Sequence, residues 1–313
     1  MKVLFNKQGQ NGSTELKNLL GFLDVDIKYS NIKSDIQSAT REVKALVGKE
    51  VFDLAFDSYT DGTEDEIQTE LIYHLRYPIA IGAYRLYAPN ADLSHTPNGR
   101  KMRVDDQEKN AFEWMIDRDN EALERKYYRA LDDLLLFLED SELPQWKNSD
   151  EYKKFQSSLF KTADDFNDYF PIQSRLLLLR MAPGIVQCIN YEIKPRIGEA
   201  MSDLLLENIP AEKQELAFFV KQACAFYALA WVLPRYSVQM FPEGVLQRYT
   251  SDSATSQAKQ VPKLNEIAWA KQCFEDDFKK AIAKIETIQR ADLQEADEVV
   301  LKDLISGSNF LST

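Results

Sequence analysis

Residues 93–103, LSHTPNGRKMR, carry a turn signal between two short runs of residues that favour extended chain. In a Pro-x-Gly turn the proline presets φ and the glycine supplies the positive-φ position, so this stretch predicts a β-hairpin. The same signal returns in residues 238–248, VQMFPEGVLQR, with its proline and glycine each 145 positions downstream of the first pair. Pro89 and Pro234, which precede the two turns, are also 145 positions apart. The chain is therefore predicted to contain two copies of one module, each with a hairpin.

Further identities fall at the same spacing, in the segments that precede the hairpins. They are Glu70-Leu71 with Glu215-Leu216, Ala80 with Ala225, and Ala83 with Ala228. Their common order favours an internal duplication. The alternative is two unrelated helical domains with similar turn chemistry.

Length and composition are those of a folded protein with two domains. The chain has 313 residues, 44% of them hydrophobic and 28% charged. The net charge of −12 argues against a general nucleic-acid-binding protein, because phosphate contacts need clustered Lys and Arg. The apolar run 223–233 is shorter than the roughly 20 residues that span a bilayer, and residues 1–5 do not resemble a signal peptide. We expect an intracellular protein without a membrane segment.

The predicted fold class is mainly α, with two tandem helical-bundle modules and a β-hairpin inserted before the long last helix of each. Hydrophobic periodicity and turn residues set the boundaries. The predicted order is an N-terminal arm (1–30), module 1 (31–141) with hairpin 93–103, a linker (142–148), module 2 (149–290) with hairpin 238–248, and a C-terminal tail (291–313).

Several local signals place the helix ends. Thr63 with Glu66 has the form of a capping box, which predicts a helix start, and Pro78 should kink or split that helix. Pro183-Gly184 should interrupt a later helix. A long amphipathic helix is predicted over 106–139, with Trp114 and Met115 on its buried stripe.

Residues that could carry chemistry are few. The two histidines, His74 and His95, correspond to Phe219 and Met240 in the second copy, which favours a structural role for both. Acidic pairs such as Asp132-Asp133 lack the Glu-x-x-His pattern of bundle metal sites, so solvated helix faces are the better interpretation. No glycine-rich phosphate loop is present, and the three cysteines are predicted to be reduced core residues. The sequence therefore predicts no catalytic site, no metal and no cofactor.

The hairpins are the candidate partner-binding sites. The first is basic within an acidic protein, and the second is apolar for a surface ribbon, which indicates a partner. The alternative is that each hairpin folds back on its own bundle. The candidate residues are Pro97, Asn98, Gly99, Arg100, Lys101, Arg103, Met240, Phe241, Pro242, Gly244, Val245 and Leu246.

The order of these motifs resembles that of phage and prophage head–tail connector (adaptor, ring) proteins, above all a group from Bacteroidales-type, crAss-like phages. The resemblance is carried by the helix ending at Gly48, the segments 83–87 and 93–100, and the helix that contains residues 111–114 (AFEW). It covers most of residues 25–140 and is looser over 168–290.

The resemblance implies a structural virion protein, assembled in the host cytoplasm, which forms a homo-oligomeric ring beneath the portal, a dodecamer in the family pattern. It further implies contacts with portal and tail or ring proteins, and a channel for DNA that passes without sequence specificity. Two hypotheses from other classes stay open. One is a helical intracellular enzyme that uses His95 or an acidic cluster, and the other is a non-viral scaffold or adaptor.

Overall fold

The fold was analysed in a computed structural model of the chain. It describes residues 1–313 apart from 24–26, 98, 103–111, 157, 173, 207, 237, 242–243, 248–263 and 308–313. The mainly α class is confirmed. The chain divides into two compact units, Met1–Gln156 (unit 1) and Ser157–Thr313 (unit 2).

Unit 1 is a helical bundle in which the fourth helix is central and packs against the second and the fifth. Its elements are α1 (Gly12–Leu20), α2 (Tyr29–Val47), α3 (Lys49–Asp61), α4 (Glu66–Ala91), β1 (Leu93–Thr96), β2 (Gly99–Met102), α5 (Glu113–Asp140), α6 (Pro144–Lys147) and α7 (Asp150–Gln156).

The described residues before α2 include buried members of this bundle, where the sequence predicts a separate N-terminal arm over 1–30. Leu4 and Phe5 are buried, as is Leu16 of α1. Glu15 anchors the segment because its carboxylate accepts hydrogen bonds from Arg76 Nη2 of α4 at 2.8 Å and from the Tyr59 hydroxyl of α3 at 2.9 Å. Apolar burial and this polar contact together fix the segment to the bundle.

The start of α4 differs from the predicted capping box. Asp65, not Thr63, is the N-cap, and its side chain accepts a hydrogen bond from the Gln68 backbone N–H at 2.9 Å. Thr63 supports that cap, since its hydroxyl accepts from the Asp65 N–H at 3.1 Å. Pro78 does not split the helix, which continues to Ala91. Pro78 is buried, and this burial offsets the hydrogen bond that a proline removes from a helix interior.

The boundary between the units lies after Gln156, downstream of the predicted linker 142–148. The linker segment is anchored in unit 1, because α6 contacts α3 and Trp146 of α6 is 0% exposed. Ser149 then caps α7, as its hydroxyl accepts a hydrogen bond from the Tyr152 N–H at 3.0 Å. One of the largest buried side chains of the protein thus lies in a polar stretch that contains a proline.

Unit 2 has a core formed mainly by three long helices, the ninth, twelfth and thirteenth of the chain. Its elements are α8 (Ala163–Asn167), α9 (Arg175–Cys188), a π-helical turn (Ile189–Ile193), α10 (Lys194–Ile197), α11 (Ala200–Asp203), a 3₁₀ turn (Ala211–Lys213), α12 (Gln214–Tyr236), β3 (Val238–Phe241), β4 (Gly244–Gln247) and α13 (Leu264–Gly307).

The predicted interruption at Pro183-Gly184 is wrong, since α9 runs through it. Gly184 is needed for close packing, because a Cβ atom there would lie 3.1 Å from the Trp231 ring of α12. The α-helical hydrogen bonding of α9 ends later, at the π-helical turn that precedes Pro195. A proline clashes with the carbonyl four residues earlier, and the wider π turn accommodates it.

Two further expectations need correction. Helix α13 extends to Gly307, so most of the predicted tail 291–313 is helical. Ala211–Arg235 is long and apolar enough to span a membrane by length and composition, contrary to the estimate from the run 223–233. Its most apolar window is 56% buried within the protein, as in the core helix of a bundle. Of the cysteines, Cys188 and Cys224 are buried, whereas Cys273 is exposed.

Candidate functional site

The two ribbons extend from the ends of α4 and α12. In ribbon 1 (β1 and β2), His95 pairs with Arg100 and Ser94 with Lys101. The main contacts of β1 outside the ribbon are with α4. A two-stranded ribbon alone is marginal in water, so its stability depends on what covers it. Of the candidate residues in this region, Pro97 lies in an exposed turn, Gly99, Arg100 and Lys101 lie in β2, and Asn98 and Arg103 lie outside the described residues.

Ribbon 2 (β3 and β4) has the same register, with Val238 opposite Gln247 and Phe241 opposite Gly244. Its main contacts outside the ribbon are with α12. No residue of either strand is charged. The candidates Met240 and Phe241 lie in β3, while Gly244, Val245 and Leu246 lie in β4. Pro242 is outside the described residues.

The helix that follows each ribbon starts with exposed apolar side chains. In unit 1 Phe112 is 68% exposed and Trp114 is 48% exposed, and Met115 is also exposed. In unit 2 Leu264 is 77% exposed and Trp269 is 72% exposed. The prediction that Trp114 and Met115 lie on a buried stripe is therefore wrong. Residues 112–116 (FEWMI) are apolar around nearly the whole turn, which one buried face cannot accommodate, and this signal could have revealed the surface.

A second surface of unit 1, which the sequence did not single out, lies where the first half of α4 packs on the second half of α5. The His74 ring of α4 stacks on the Phe137 ring of α5, with centroids 4.7 Å apart. Five exposed residues lie on these stretches of α4 and α5, and we call them the acidic face. They are Ile67, Glu70, Tyr73, Asp133 and Leu136.

Basic residues are sparse in the two segments that form the acidic face. No Lys or Arg occurs between Lys49 and Arg76, or between Arg129 and Lys147. Within the part of the chain that the structure describes, Glu70 and Asp133 form no ion pair. The face thus combines exposed apolar area with carboxylates that form no ion pair in the described part of the chain, which suits an apolar partner that carries basic residues.

Burial lowers the pKa of His74, while the charges of Asp133 and Glu70 act in the opposite direction. The folded protein therefore takes up a proton at this site less readily than the unfolded chain. As pH falls through the ordinary histidine pKa of about 6.5, the unfolded state binds more protons and the free energy of unfolding decreases.

We expect His74→Phe, which replaces the imidazole by an aromatic ring that does not titrate, to weaken this pH dependence. The measurement is urea unfolding of both proteins between pH 7.5 and 5. As pH falls, the free energy of unfolding of the variant should rise relative to that of the wild type. His95 is present in both proteins, so the difference reports His74 alone. Parallel curves would show that His74 titrates equally in the folded and unfolded states.

Among the described residues, no group of three or more His, Cys, Asp or Glu side chains is placed to hold a metal ion. The surfaces that stand out in the described part of the chain are two ribbons, two helix starts with exposed apolar side chains, and the acidic face. The sequence indicated the ribbons through their turns. It did not indicate the acidic face, because the packing of α4 on α5 brings its members together.

Comparison with curated proteins and with solved structures gives no match. A family model, described as a family of unknown function (DUF6712), matches residues 16–156 and 191–286. The first match ends where unit 1 ends. Because the matched residues are well over half of the sequence, the chain belongs to this family, DUF6712.

Proposed function

We propose that this chain is a structural virion protein, a head–tail connector that joins the portal to the tail and lines or surrounds the DNA channel. The proposal begins with the resemblance of the motifs in residues 25–140 to phage connector proteins. The observation that carries it further is the repeated surface arrangement in the two units. Each unit has a ribbon that contacts chiefly its own helix end, followed by a helix that starts with exposed apolar side chains. Such surfaces are typical of proteins that work in an assembly.

The proposed internal duplication gives this arrangement a simple origin. The last residues of α4 and α12, Ala91 and Tyr236, are 145 positions apart, and so are the limits of the corresponding strands. Buried positions recur at the same spacing. They include Leu71 and Leu216, Leu75 and Val220, Ile79 and Cys224, Ala83 and Ala228.

An aromatic pair on the two central helices also repeats. The rings of Tyr73 and His74 meet edge to face, with centroids 5.6 Å apart and planes at 80°. At the matching positions Phe218 and Phe219 meet at 5.3 Å and 83°. Both first members, Tyr73 and Phe218, are about half exposed. A duplicated module would thus give each chain two related contact surfaces with different side chains.

The net charge of −12 fits a channel through which DNA moves. A wall that repels phosphate does not bind the genome as it passes, since affinity for DNA depends on neutralising phosphates with Lys and Arg. Contact with DNA would then be independent of sequence. Portal, tail and neighbouring ring proteins are the proposed macromolecular partners, and no enzymatic activity is part of the proposal.

The test is the mass of the purified wild-type chain across a concentration series, combined with electron microscopy of native particles. We expect a closed oligomer in solution and a ring at the junction of head and tail. Deletion of residues 239–246 should reduce assembly if ribbon 2 binds a partner. A chain that stays monomeric at all concentrations and does not associate with particles would overturn the proposed function.

A further inference from the structure

The ribbon-1 end of unit 1 and its acidic face are separated along the bundle axis. Helix α4 carries Tyr73 of the acidic face near its start and continues into ribbon 1 after Ala91. At a rise of 1.5 Å per residue, the distance from Tyr73 to the end of α4 is about 27 Å. A strand of four residues spans about 13 Å, so ribbon 1 is too short to fold back onto the acidic face of its own chain.

The two surfaces are complementary in charge. Ribbon 1 carries Arg100 and Lys101 in β2, and neither of its strands contains an acidic residue. The acidic face carries Glu70 and Asp133, which form no ion pair in the described part of the chain. Exposed apolar side chains accompany both surfaces: Phe112 and Trp114 follow ribbon 1, and Tyr73 belongs to the acidic face. Opposite charges at the edge of apolar contacts set the register of an interface.

From this geometry we infer that ribbon 1 of one copy docks on the acidic face of unit 1 in the next copy. This inference rests on the proposed function, and the contact would be the subunit interface of the ring. It is heterologous, because each copy contributes two different surfaces. Heterologous contacts that repeat from copy to copy close into a ring or extend into a filament. Docking would give the ribbon a supporting surface in addition to its contacts with α4 of its own unit.

The experiment is a charge exchange in the full-length protein. The variant R100E/K101E reverses ribbon 1, and E70K/D133K reverses the acidic face. Each variant alone should associate on the order of 100-fold more weakly than wild type, because like charges then meet at the interface. A 1:1 mixture of the two variants should form the wild-type oligomer, since every contact in an alternating ring again joins opposite charges. The quadruple variant should also assemble alone. Native mass spectrometry measures the oligomeric state of the wild type, of the two double variants alone and mixed, and of the quadruple variant.

K33E/R41E is the matched control. It reverses two exposed basic residues of α2 and changes the net charge by the same amount as R100E/K101E. This control should assemble like wild type, and circular dichroism checks that every variant is folded. Raising the salt concentration should weaken the wild-type oligomer, because surface charges are screened over about 10 Å at 0.1 M.

Three outcomes would overturn the inference. The first is a wild-type oligomer that neither charge reversal affects, which would leave the proposed function standing with another interface. The second is loss of assembly in both variants without rescue in the mixture or the quadruple variant. The third is an R100E/K101E variant that assembles normally but no longer binds double-stranded DNA. This result would show that ribbon 1 binds DNA phosphates and not a neighbouring copy. A strictly monomeric wild type would overturn the proposed function as well.

Discussion

Trp146→Ala is expected to lower the free energy of unfolding by about 3–5 kcal/mol, the cost of removing a fully buried tryptophan from a close-packed core. Trp146 is 0% exposed, and its ring meets Tyr152 of α7 with centroids 5.8 Å apart. Its short helix α6 packs on α3. Removal of the indole would leave a cavity at the point where the end of unit 1 is fixed to the bundle. Urea unfolding of the full-length protein, followed by far-UV circular dichroism, measures the loss.

Trp269→Ala is the matched control because it removes the same side chain from an exposed position. Trp269 is 72% exposed at the start of α13, and surface substitutions usually change the free energy of unfolding by less than about 0.5 kcal/mol. If W146A were as stable as W269A, residues 142–148 would be a loose linker after all. A W269A variant that is stable but assembles poorly would add α13 to the subunit interface.

Residues 142–148 are predicted to be a linker, but in the structure they contain the short helix α6, which packs in unit 1. Pro144 and its position between two predicted helices favour a linker. One tryptophan decides otherwise, because a single large side chain can anchor a four-residue helix that has no amphipathic stripe of its own. Periodicity detects long helices such as α2 and α5. It does not detect short elements whose stability comes from one buried contact.

Glycine and proline inside a sequence segment do not by themselves mark the end of a helix in this chain. Pro183-Gly184 was interpreted as a break, but Gly184 admits the Trp231 ring and α9 continues. Gly82 of α4 has the same role in unit 1, since a Cβ atom there would lie 2.9 Å from the Tyr127 ring. A glycine that allows close packing and a glycine that ends a helix are alike in sequence. The neighbouring helix distinguishes them, and that neighbour is remote along the chain.

The candidate surfaces also differ in whether their residues are close together in the sequence. Residues of the ribbons are adjacent in sequence, so the turn chemistry was sufficient to single them out. The acidic face joins Glu70 and Tyr73 to Asp133 and Leu136, which are about 60 positions away. Only the antiparallel packing of α4 on α5 brings them together. Long stretches without Lys or Arg were visible in the sequence, but their common surface was not.

Glu15→Ala is expected to lower the free energy of unfolding by about 2 kcal/mol, less than for one partner of a fully buried ion pair, because this pair is partly exposed. The Glu15 and Arg76 side chains are 15% and 18% exposed, and the Arg76 guanidinium lies over the Phe5 ring at 4.8 Å. Burial and the hydrogen bond to Glu15 raise the pKa of the Tyr59 hydroxyl, so it remains a donor even at alkaline pH. Without the carboxylate, the arginine charge and this hydroxyl lose their shared acceptor.

The double variant E15L/R76M separates loss of the pair from loss of one partner. Replacing both charges by apolar side chains of similar size removes the uncompensated charge, so this variant should be more stable than E15A. In E15A the Asn6 N–H loses its acceptor at 3.1 Å, and its hydrogen exchange should accelerate. Lys2→Ala, which removes an exposed ion-pair partner of Asp53 and Asp57, should leave stability essentially unchanged. Equal stability of E15A and K2A, with unchanged exchange at Asn6, would mean that residues 1–30 are an arm that the bundle does not hold.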